Sequence, residues 1–356
     1  MAGATTFDIS PEKRASMSAF MKRQIFSEPP LPSSGHADLT GNTAIVTGSN
    51  VGLGLECSRQ LLGLGLGKLI LAVRSESKGE EARRDLEAWA RSPASGRRAS
   101  QALPTIEVWH LDLSRYDSIT AFAERTRNLE SLHIVVHNAG LVKTALELNA
   151  TTGHDEVTQV NYLSAALLTI LLLPVIKDKN TPQKPGRFVI VNSDVAAWAK
   201  FKEQNSVPLL SAFDKPEFFD PQERYFTSKL LGQLFLSELV KRVPPSVAVV
   251  NAANPGLCYG SSLNRDMEGF AGTVFNIFKR TVGHSTPVGA RSLTDAAVNH
   301  GLKSHGQYIE DGKIQPMAPI VYKRRGREIA ALLWDETMKE LAFARSAEIV
   351  QELASA

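Results

Sequence analysis

Short apolar runs alternate with longer amphipathic stretches along most of this chain. The predicted strands are 44–46, 68–73, 106–111, 132–136, 187–191, 246–250 and 307–310. The predicted helices between them are 51–62, 78–91, 118–129, 163–173, 225–242 and 287–299. The strand segments are almost continuously apolar, which is typical of strands buried on both faces. Their regular alternation with helices predicts an α/β fold with a doubly wound parallel sheet.

The remaining segments divide the chain into three parts. Residues 1–38 are predicted to form an N-terminal appendage and linker, and 39–320 a single Rossmann-type domain. Two long segments of that domain, about 194–222 and 257–284, leave the carboxyl edge of the sheet and are predicted to be lids over a substrate. Residues 321–356 are predicted to add a charged helical tail.

The composition permits a large core and excludes several classes of protein. The chain has 356 residues, of which 43% are apolar and 22% charged, so a disordered chain is excluded. A formal net charge of +3 is too small to indicate a nucleic-acid partner. Two cysteines, Cys57 and Cys258, are too few for a disulfide framework or a zinc site, so no metal is predicted and a reducing compartment is favoured.

The sequence predicts neither export nor a membrane span. Residues 1–10 lack the basic and apolar regions of a secretory signal. The most apolar stretch, 163–176, is shorter than the roughly 20 residues that a membrane-spanning helix needs. We therefore expect a buried helix here, in a cytoplasmic protein.

A glycine-rich loop follows the first predicted strand. The segment 47–54 reads TGSNVGLG and leads directly into a helix. Glycines let backbone N–H groups and a helix N-terminus come close to a pyrophosphate, although a turn without a ligand is the alternative. The spacing matches the general dinucleotide fingerprint only loosely, and the Gly-Lys-Ser/Thr of a P-loop is missing. The candidate cofactor contacts are Gly48, Ser49, Asn50, Val51, Gly52, Leu53 and Gly54.

A basic residue ends the second predicted strand. Arg74 stands about 20 residues after the glycine loop, where an acidic side chain would hold the 2′-hydroxyl of NAD. A guanidinium instead suits a 2′-phosphate, with Lys78 and Ser49 as helpers. This pattern predicts NADP(H) as the cofactor, and the alternative is a surface arginine over a helix N-terminus.

Polar and small residues follow the other strands at the same sheet edge. Asp112 can accept a hydrogen bond from adenine or cap a helix. The segment 138–140, Asn-Ala-Gly, either lets the chain pass close under a ribose or forms a plain turn. The further candidate cofactor contacts are Asp112, Leu113, Asn138, Ala139, Gly140, Pro255, Gly256, Leu257 and Ser261.

A tyrosine and a lysine share one face of a predicted helix. Tyr225 and Lys229 are four residues apart, and a nearby ammonium is expected to lower the phenol pKa from its usual value of about 10. Such a pair can serve as a general acid or base near neutral pH. Ser193, at the end of the fifth strand, can hydrogen-bond a carbonyl or hydroxyl, and Asn161 can hold a water against the lysine.

In order and placement these motifs resemble the short-chain dehydrogenase/reductase family over residues 41–312. The resemblance rests on TGSNVGLG at 47–54, Asp112-Leu113, NAG at 138–140, Asn161, Ser193, YFTSK at 225–229 and Pro255-Gly256. It implies a catalytic tetrad of Asn161, Ser193, Tyr225 and Lys229. Tyr225 would then transfer the proton, and Lys229 would also bind the nicotinamide ribose. Ser193 would polarise the substrate oxygen, and Asn161 would anchor a relay water.

The resemblance also concerns assembly and pathway. The segments ahead of the first strand and at 70–80 are similar to a fungal subgroup near the retinol-dehydrogenase-like enzymes, many of which are encoded in secondary-metabolite clusters. Family dimers commonly pair the helices that correspond to 163–173 and 225–242, so a homodimer is implied unless the insert at 199–222 covers that face. Where the family often has a threonine or serine at the nicotinamide amide, this chain has Gly260, followed by Ser261 and Ser262.

Together these features predict an NADP(H)-dependent oxidoreductase. It is expected to interconvert a carbonyl and an alcohol on a bulky, mostly apolar small molecule such as a secondary metabolite. Aromatic side chains in the two predicted lids suggest the apolar pocket, although they can equally fill a core within the lids. The alternatives are an enzyme of the same fold that catalyses a net non-redox step, and a non-catalytic NADP(H)-binding protein.

Overall fold

The computed structural model describes residues 7–32, 37–97, 102–261, 263 and 277–355. The helices named here are α1 (Pro11–Ala15), α2 (Met17–Phe26), α3 (Gly52–Gly63), α4 (Glu76–Arg91), α5 (Tyr116–Thr126), α6 (Glu156–Thr158), α7 (Ser164–Asp178), α8 (Pro221–Leu239), α9 (Thr286–Val298), α10 (Pro319–Tyr322), α11 (Arg324–Glu340) and α12 (Ser346–Ala354). The strands are β1 (Thr43–Thr47), β2 (Lys68–Val73), β3 (Thr105–His110), β4 (Ile134–His137), β5 (Gly186–Val191), β6 (Ala248–Asn254), β7 (Cys258–Tyr259), β8 (His284–Ser285), β9 (Tyr308–Glu310) and β10 (Lys313–Gln315).

Within the described residues, eight of these strands form one sheet in the order β10-β9-β6-β5-β4-β1-β2-β3. All neighbouring pairs are parallel except β9 and β10. Helices cover both faces, and two apolar clusters lie on opposite sides of the sheet. The predicted α/β, doubly wound fold is therefore confirmed. The parallel register brings the carboxyl ends of β1, β2, β4, β5, β6 and β9 to one edge.

One predicted strand ends too early. The prediction stopped at residue 250, whereas β6 continues to Asn254. Asn251 looked like a strand end because asparagine is rare in buried strands. Its side chain is fully buried, and its amide donates to the carbonyl of Ala296 on α9 at 3.1 Å. The added residues carry the strand to the edge where the candidate site lies.

The apolar stretch around α7 is a core helix. The continuous helical segment 156–178, in which residues 159–163 form a π-helical turn, is the one helix of the described residues that is long and apolar enough to cross a membrane. Nearly all of it is buried against the sheet and neighbouring helices, as core helices that pass this test commonly are. Among the described residues, no cluster of metal-binding side chains occurs.

Within the predicted appendage 1–38, the described helices α1 and α2 pack against the domain. Helices α1 and α2 dock at the carboxyl edge of the sheet, where Arg14 is 1% exposed. The indole N–H of Trp198 donates to the carbonyl of Ala15 at 2.8 Å, and its ring meets Phe20 edge-on at 5.0 Å. Sequence alone shows these helices as largely polar because buried ion pairs cannot be told from solvated charges.

The C-terminal tail is helical as predicted, but it docks on the domain. The Trp334 ring of α11 stacks on Phe235 of α8 at 5.6 Å, and Thr337 hydrogen-bonds the hydroxyl of Tyr162 at 2.6 Å. Helix α12 packs against α7. These contacts involve α7 and α8, the two helices through which the family resemblance implies a homodimer.

The first predicted lid has its own core. Phe201, Leu209 and Phe213 are almost completely buried, and the Glu336 carboxylate of α11 accepts the N–H groups of Leu209 and Leu210 at 2.7 Å each. These side chains pack within the insert and against α11, so they do not line a substrate pocket. In the second predicted lid, Phe270 and Phe275 lie outside the described residues.

A histidine links the insert to the C-terminal helix. His154 Nδ1 lies 3.1 Å from Asp214, and Nε2 lies 3.3 Å from Glu340. Burial lowers the pKa of His154, but the hydrogen bonds to both carboxylates outweigh burial and raise that pKa to about 9.

We expect His154→Gln to lower Tm by roughly 2–4 °C at pH 6 and by much less at pH 9.5. The folded state binds the His154 proton more tightly than the unfolded chain, whose histidine pKa is about 6.5. The stabilisation is therefore complete below pH 6.5 and disappears as the pH rises through about 9. Thermal melts of both proteins across this range measure it, and a Tm difference independent of pH would contradict the assignment.

Candidate active site

The backbone of the glycine loop approaches itself closely between Gly48 and Gly54. Gly48 and Gly52 have φ angles of +63° and +65°, which disfavour residues with a Cβ. A Cβ on Gly54 would lie 2.6 Å from the carbonyl oxygen of Gly48. Val51 stands at the N-cap of α3 and has no polar side chain to bind the first N–H groups of that helix. The loop therefore presents backbone donors and a helix N-terminus at the sheet edge, which fits a pyrophosphate.

Two predicted cofactor contacts brace the loop instead. Ser49 is fully buried and its hydroxyl donates to the carbonyl of Val46 at 2.8 Å, so the predicted help from its side chain with a 2′-phosphate is wrong. The Asn138 amide donates to the carbonyls of Thr47 and Gly48 at 3.0 and 3.2 Å. A serine in a loop looks available in the sequence, because the sequence does not show which way its side chain turns.

Arg74 lies beside this loop, and Lys78 follows it in the first turns of α4. Thr47 pairs with Ala72 in the register of β1 and β2, which places Arg74 just beyond the strand end next to Gly48. Both basic side chains are exposed, and within the described residues neither takes part in an ion pair. The two cations are therefore available to an anionic group that binds at the loop.

The Asp112 side chain closes a local turn. Its Oδ1 accepts the backbone N–H and the hydroxyl of Ser114 at 3.0 and 2.8 Å. An open groove of about 530 Å³ lies beside it, lined also by His110 and Ser118. Leu113 is buried in the main apolar cluster, so its side chain belongs to the core.

Asn161 and Lys229 converge at Gly140. The Asn161 amide bonds the N–H and carbonyl of Leu141 at 2.8 and 2.9 Å and the hydroxyl of Ser228 at 3.1 Å. A Cβ on Gly140 would lie 3.1 Å from Asn161 Oδ1 and 3.7 Å from Lys229 Nζ. The small residue thus leaves the space in which these two polar groups approach each other.

A small cavity with both polar and apolar walls adjoins Lys229. Its volume of about 10 Å³ is close to the space that one water molecule needs, and its lining includes His137, Asn161, Asn192, Ser228 and Lys229. The Lys229 ammonium donates to the carbonyl of Val191 at 3.0 Å. A water here would have the polar partners that a proton relay requires.

Tyr225 lies over the same lysine. Lys229 Nζ is 5.7 Å from the Tyr225 ring centroid. Burial, with a smaller contribution from nearby Cys258, raises the pKa of the Tyr225 phenol, so the net shift is opposite to the predicted fall. Burial also lowers the pKa of Lys229 to about 8. At neutral pH the phenol is therefore a proton donor, and the lysine is mostly charged.

Ser193 follows β5 at the same edge. Its N–H donates to the Asn192 side-chain oxygen at 2.9 Å. The Asn192 amide in turn donates to the carbonyl of Lys229 at 2.9 Å, and Gln233 donates to the Asn192 oxygen at 2.9 Å. Asn192, which the sequence analysis did not single out as a site residue, thus ties the end of β5 to α8. The only feature of the sequence that could have identified Asn192 is its position directly before Ser193.

The segment after β6 reaches back toward the glycine loop. The Cα of Ser261 lies 3.4 Å from the Cβ position of Gly52. The Leu257 backbone is held by Gln24 of α2, and the Cys258 thiol is buried beside Pro255. Both cysteines are free and buried. Ser262 lies outside the described residues, while Gly260 is exposed with a φ of +86°.

The glycine loop, the exposed basic pair and the tyrosine–lysine pair define a dinucleotide-binding oxidoreductase site. The family model for short chain dehydrogenases matches residues 42–204. The short-chain dehydrogenase fogG of Aspergillus ruber is 49% identical and covers 98% of this chain and 99% of its own length. The short chain dehydrogenase/reductase mfmJ of Annulohypoxylon moriforme is 42% identical over 94% of each chain. This chain belongs to the short-chain dehydrogenase family, whose members bind NAD(P)(H).

Solved structures agree with the fold. A complex of Pseudomonas aeruginosa RhlG with NADP has a TM-score of 0.55 at 18% identity and covers 77% of this chain and 96% of its own. A 3-oxoacyl (acyl-carrier-protein) reductase from Agrobacterium tumefaciens with NADP bound has a TM-score of 0.56 at 20% identity and covers 78% and 96%. At these identities the likeness concerns the fold alone.

Proposed function

We propose that this protein is an NADP(H)-dependent oxidoreductase that interconverts a carbonyl and an alcohol, with Tyr225 as the acid or base. The observation that carries the proposal is the meeting of Tyr225, Lys229 and Asn161 at the sheet edge that also holds the glycine loop. Turnover of NADPH with a panel of ketones and aldehydes tests it. Oxidation of NADPH that depends on the carbonyl supports the proposal, and its absence across the panel opposes it.

The residues of the site divide the chemistry among themselves. Bound NADP(H) supplies or accepts the hydride. In the reducing direction the neutral Tyr225 phenol donates its proton to the substrate oxygen, which Ser193 also hydrogen-bonds. Lys229 stabilises the resulting phenolate, because an ammonium near a phenolate favours the charged form. The water-sized cavity beside Asn161 and Lys229 would hold the water of the proposed proton relay.

The preference for NADP(H) rests on Arg74 and Lys78. Both are exposed, Arg74 beside the glycine loop and Lys78 four residues later on α4, and the 2′-phosphate of NADP(H) would offer them charge-assisted hydrogen bonds. Gly48, Gly52 and Gly54 would hold the pyrophosphate. The side chains of Ser49 and Leu113 have no role in this proposal, because both are buried elsewhere.

A bulky, mostly apolar substrate, such as a secondary metabolite, remains our proposal. The buried core of the insert does not support an apolar pocket. The support for this proposal comes from exposed apolar side chains in the second predicted lid: Tyr259, Ile277 and Phe278. Carbonyl compounds of increasing apolar size, assayed with NADPH, test this point. Higher kcat/KM for small polar ketones or sugars would oppose it. A product isomeric with its substrate would instead support the non-redox alternative.

Two further proposals concern where the protein is located and whether it forms a homodimer. A cytoplasmic location agrees with the two free thiols. A homodimer, if formed, would not use the faces of α7 and α8 on which α11 and α12 pack. Light scattering after gel filtration tests the assembly, and a chemical crosslink between the α7 or α8 helices of two copies would oppose this view.

We expect kcat/KM for reduction to fall as the pH rises above about 8. The pKa of Lys229 is about 8 in this buried site, and only its protonated form stabilises the phenolate. The Tyr225 phenol keeps its proton in this range, so the falling limb belongs to the lysine. Lys229→Arg keeps a charge at higher pH and should remove the limb from whatever activity remains. A flat wild-type profile from pH 6 to 9.5 would contradict the role of Lys229.

A further inference from the structure

Two arginines of the N-terminal helices are inserted at the carboxyl edge of the sheet. Arg14 donates to both carboxylate oxygens of Glu310 at 3.0 Å and to Asp194 at 3.0 Å. Arg23 donates to the same Asp194 oxygen at 2.9 Å and lies 3.1 Å from Glu310. Two guanidinium groups thus face two buried carboxylates.

The carboxylates belong to two strands with a third between them. Asp194 comes three residues after the end of β5, and Glu310 ends β9. Asn254, the last residue of the intervening β6, donates to Asp194 at 2.7 Å and to Glu310 at 2.6 Å. One hydrogen-bonded network therefore fixes the relative positions of three adjacent strand ends.

These strand ends carry the proposed active site. Asp194 directly follows Ser193, and Asn254 directly precedes Pro255 and Gly256. A side chain that holds Asp194 therefore also limits where the Ser193 hydroxyl can stand. Catalysis is sensitive to such placement, since a shift of about 1 Å can cost about 100-fold in rate.

A second contact joins α2 to the segment after β6. Gln24 is buried, and its side chain donates to the carbonyl of Leu257 at 3.0 Å and accepts the N–H of Leu257 at 2.9 Å. Gly256 lies directly beneath, where a Cβ would come within 2.9 Å of Gln24 Oε1. The amide side chain thus pairs with this backbone as a neighbouring strand would.

We propose that the N-terminal helices are a built-in part of the active site, in which Arg14 and Arg23 position Ser193 through Asp194, and Gln24 positions the cofactor-binding segment through Leu257. The two contacts serve different parts of the site and can be separated by substitution. The catalytic half of this inference rests on the proposed function. The positional half does not, because it concerns where the two segments are held.

Hydrogen exchange tests the positional half without a substrate. Arg14→Lys keeps the charge but cannot keep the bond to Asp194 together with the paired bonds to Glu310, so exchange should quicken at 192–198 and remain unchanged at 256–259. Gln24→Met removes both bonds to Leu257 at similar side-chain volume. Exchange should then quicken at 256–259 and remain unchanged at 192–198. Val350→Ala is the control for lost stability, because Val350 is a buried residue of α12 and its truncation destabilises the fold without touching either contact. A uniform quickening, or none, in the first two variants would overturn the inference.

Kinetics and cofactor binding then test the catalytic half. Arg14→Lys should lower kcat roughly 10- to 100-fold with the NADPH Kd nearly unchanged, as for a misplaced Ser193. Gln24→Met should raise the NADPH Kd roughly 5- to 20-fold with a smaller effect on kcat. Val350→Ala should change neither below its Tm. Equal losses of kcat and affinity that follow Tm in all three variants would overturn the inference, whereas a wild-type protein without turnover would count against the proposed function alone.

Discussion

Tyr225→Phe should lower kcat for carbonyl reduction by about 10²- to 10⁴-fold, the usual contribution of general acid–base catalysis. The substitution removes one hydroxyl and keeps the ring that lies over Lys229. The glycine loop and Arg74 are untouched, so NADPH should bind with a Kd within about threefold of the wild-type value. Initial rates and fluorescence titration with NADPH measure the two quantities.

Tyr322→Phe is the matched control for that experiment. It removes a phenol hydroxyl on α10 that accepts the N–H of Met317 at 2.9 Å, a bond that involves no residue of the proposed tetrad. Its kcat should stay close to the wild-type value. If Tyr225→Phe kept most of its activity, proton transfer would not depend on this phenol, and the non-redox alternative would gain support.

Arg74→Ala should reduce kcat/KM for NADPH roughly 10- to 100-fold, because a charge-assisted hydrogen bond contributes about 1.5–3 kcal/mol. The same variant should use NADH about as well as the wild-type protein does, since NADH has no 2′-phosphate. Arg74→Lys should recover part of the loss, because the charge remains but the planar fork is lost. Initial rates with both coenzymes measure these changes.

Arg84→Ala provides the control for net charge. Arg84 is also exposed on α4, so its removal changes the charge of the protein equally without touching the strand end. Its coenzyme preference should remain that of the wild-type protein. Equal efficiencies of NADPH and NADH in the wild-type protein would contradict the role given to Arg74.

The alternation of apolar strands and helices was sufficient to predict the fold, because strands buried on both faces are apolar throughout. Local motifs likewise predicted the glycine loop and the tyrosine–lysine pair. The pair was predictable because two residues that are four positions apart lie on the same face of a helix. The sequence also placed Arg74 at a strand end, where the structure shows it exposed beside the loop.

Long-range contacts could not be predicted in this way. Arg14 meets Glu310 and Asp194 across most of the chain, and a charged residue looks the same in a sequence whether it is buried or solvated. The docking of α11 on α8 depends on which apolar faces meet, which an amphipathic pattern does not specify. The pKa of Tyr225 was expected to fall because the neighbouring lysine is visible in the sequence, whereas the burial that raises that pKa is not.

The measurement that tests the central claim most directly follows a labelled hydride. NADPH deuterated at the transferred position of C4 is incubated with the protein and a carbonyl compound from the panel, and the product is examined by mass spectrometry. The proposed reaction forms one C–D bond at the carbonyl carbon and one O–H bond with the proton from Tyr225. Each product molecule should therefore carry one deuterium and one added hydrogen, with one NADP⁺ formed. A product of unchanged mass, formed without consumption of NADPH, would contradict the proposal.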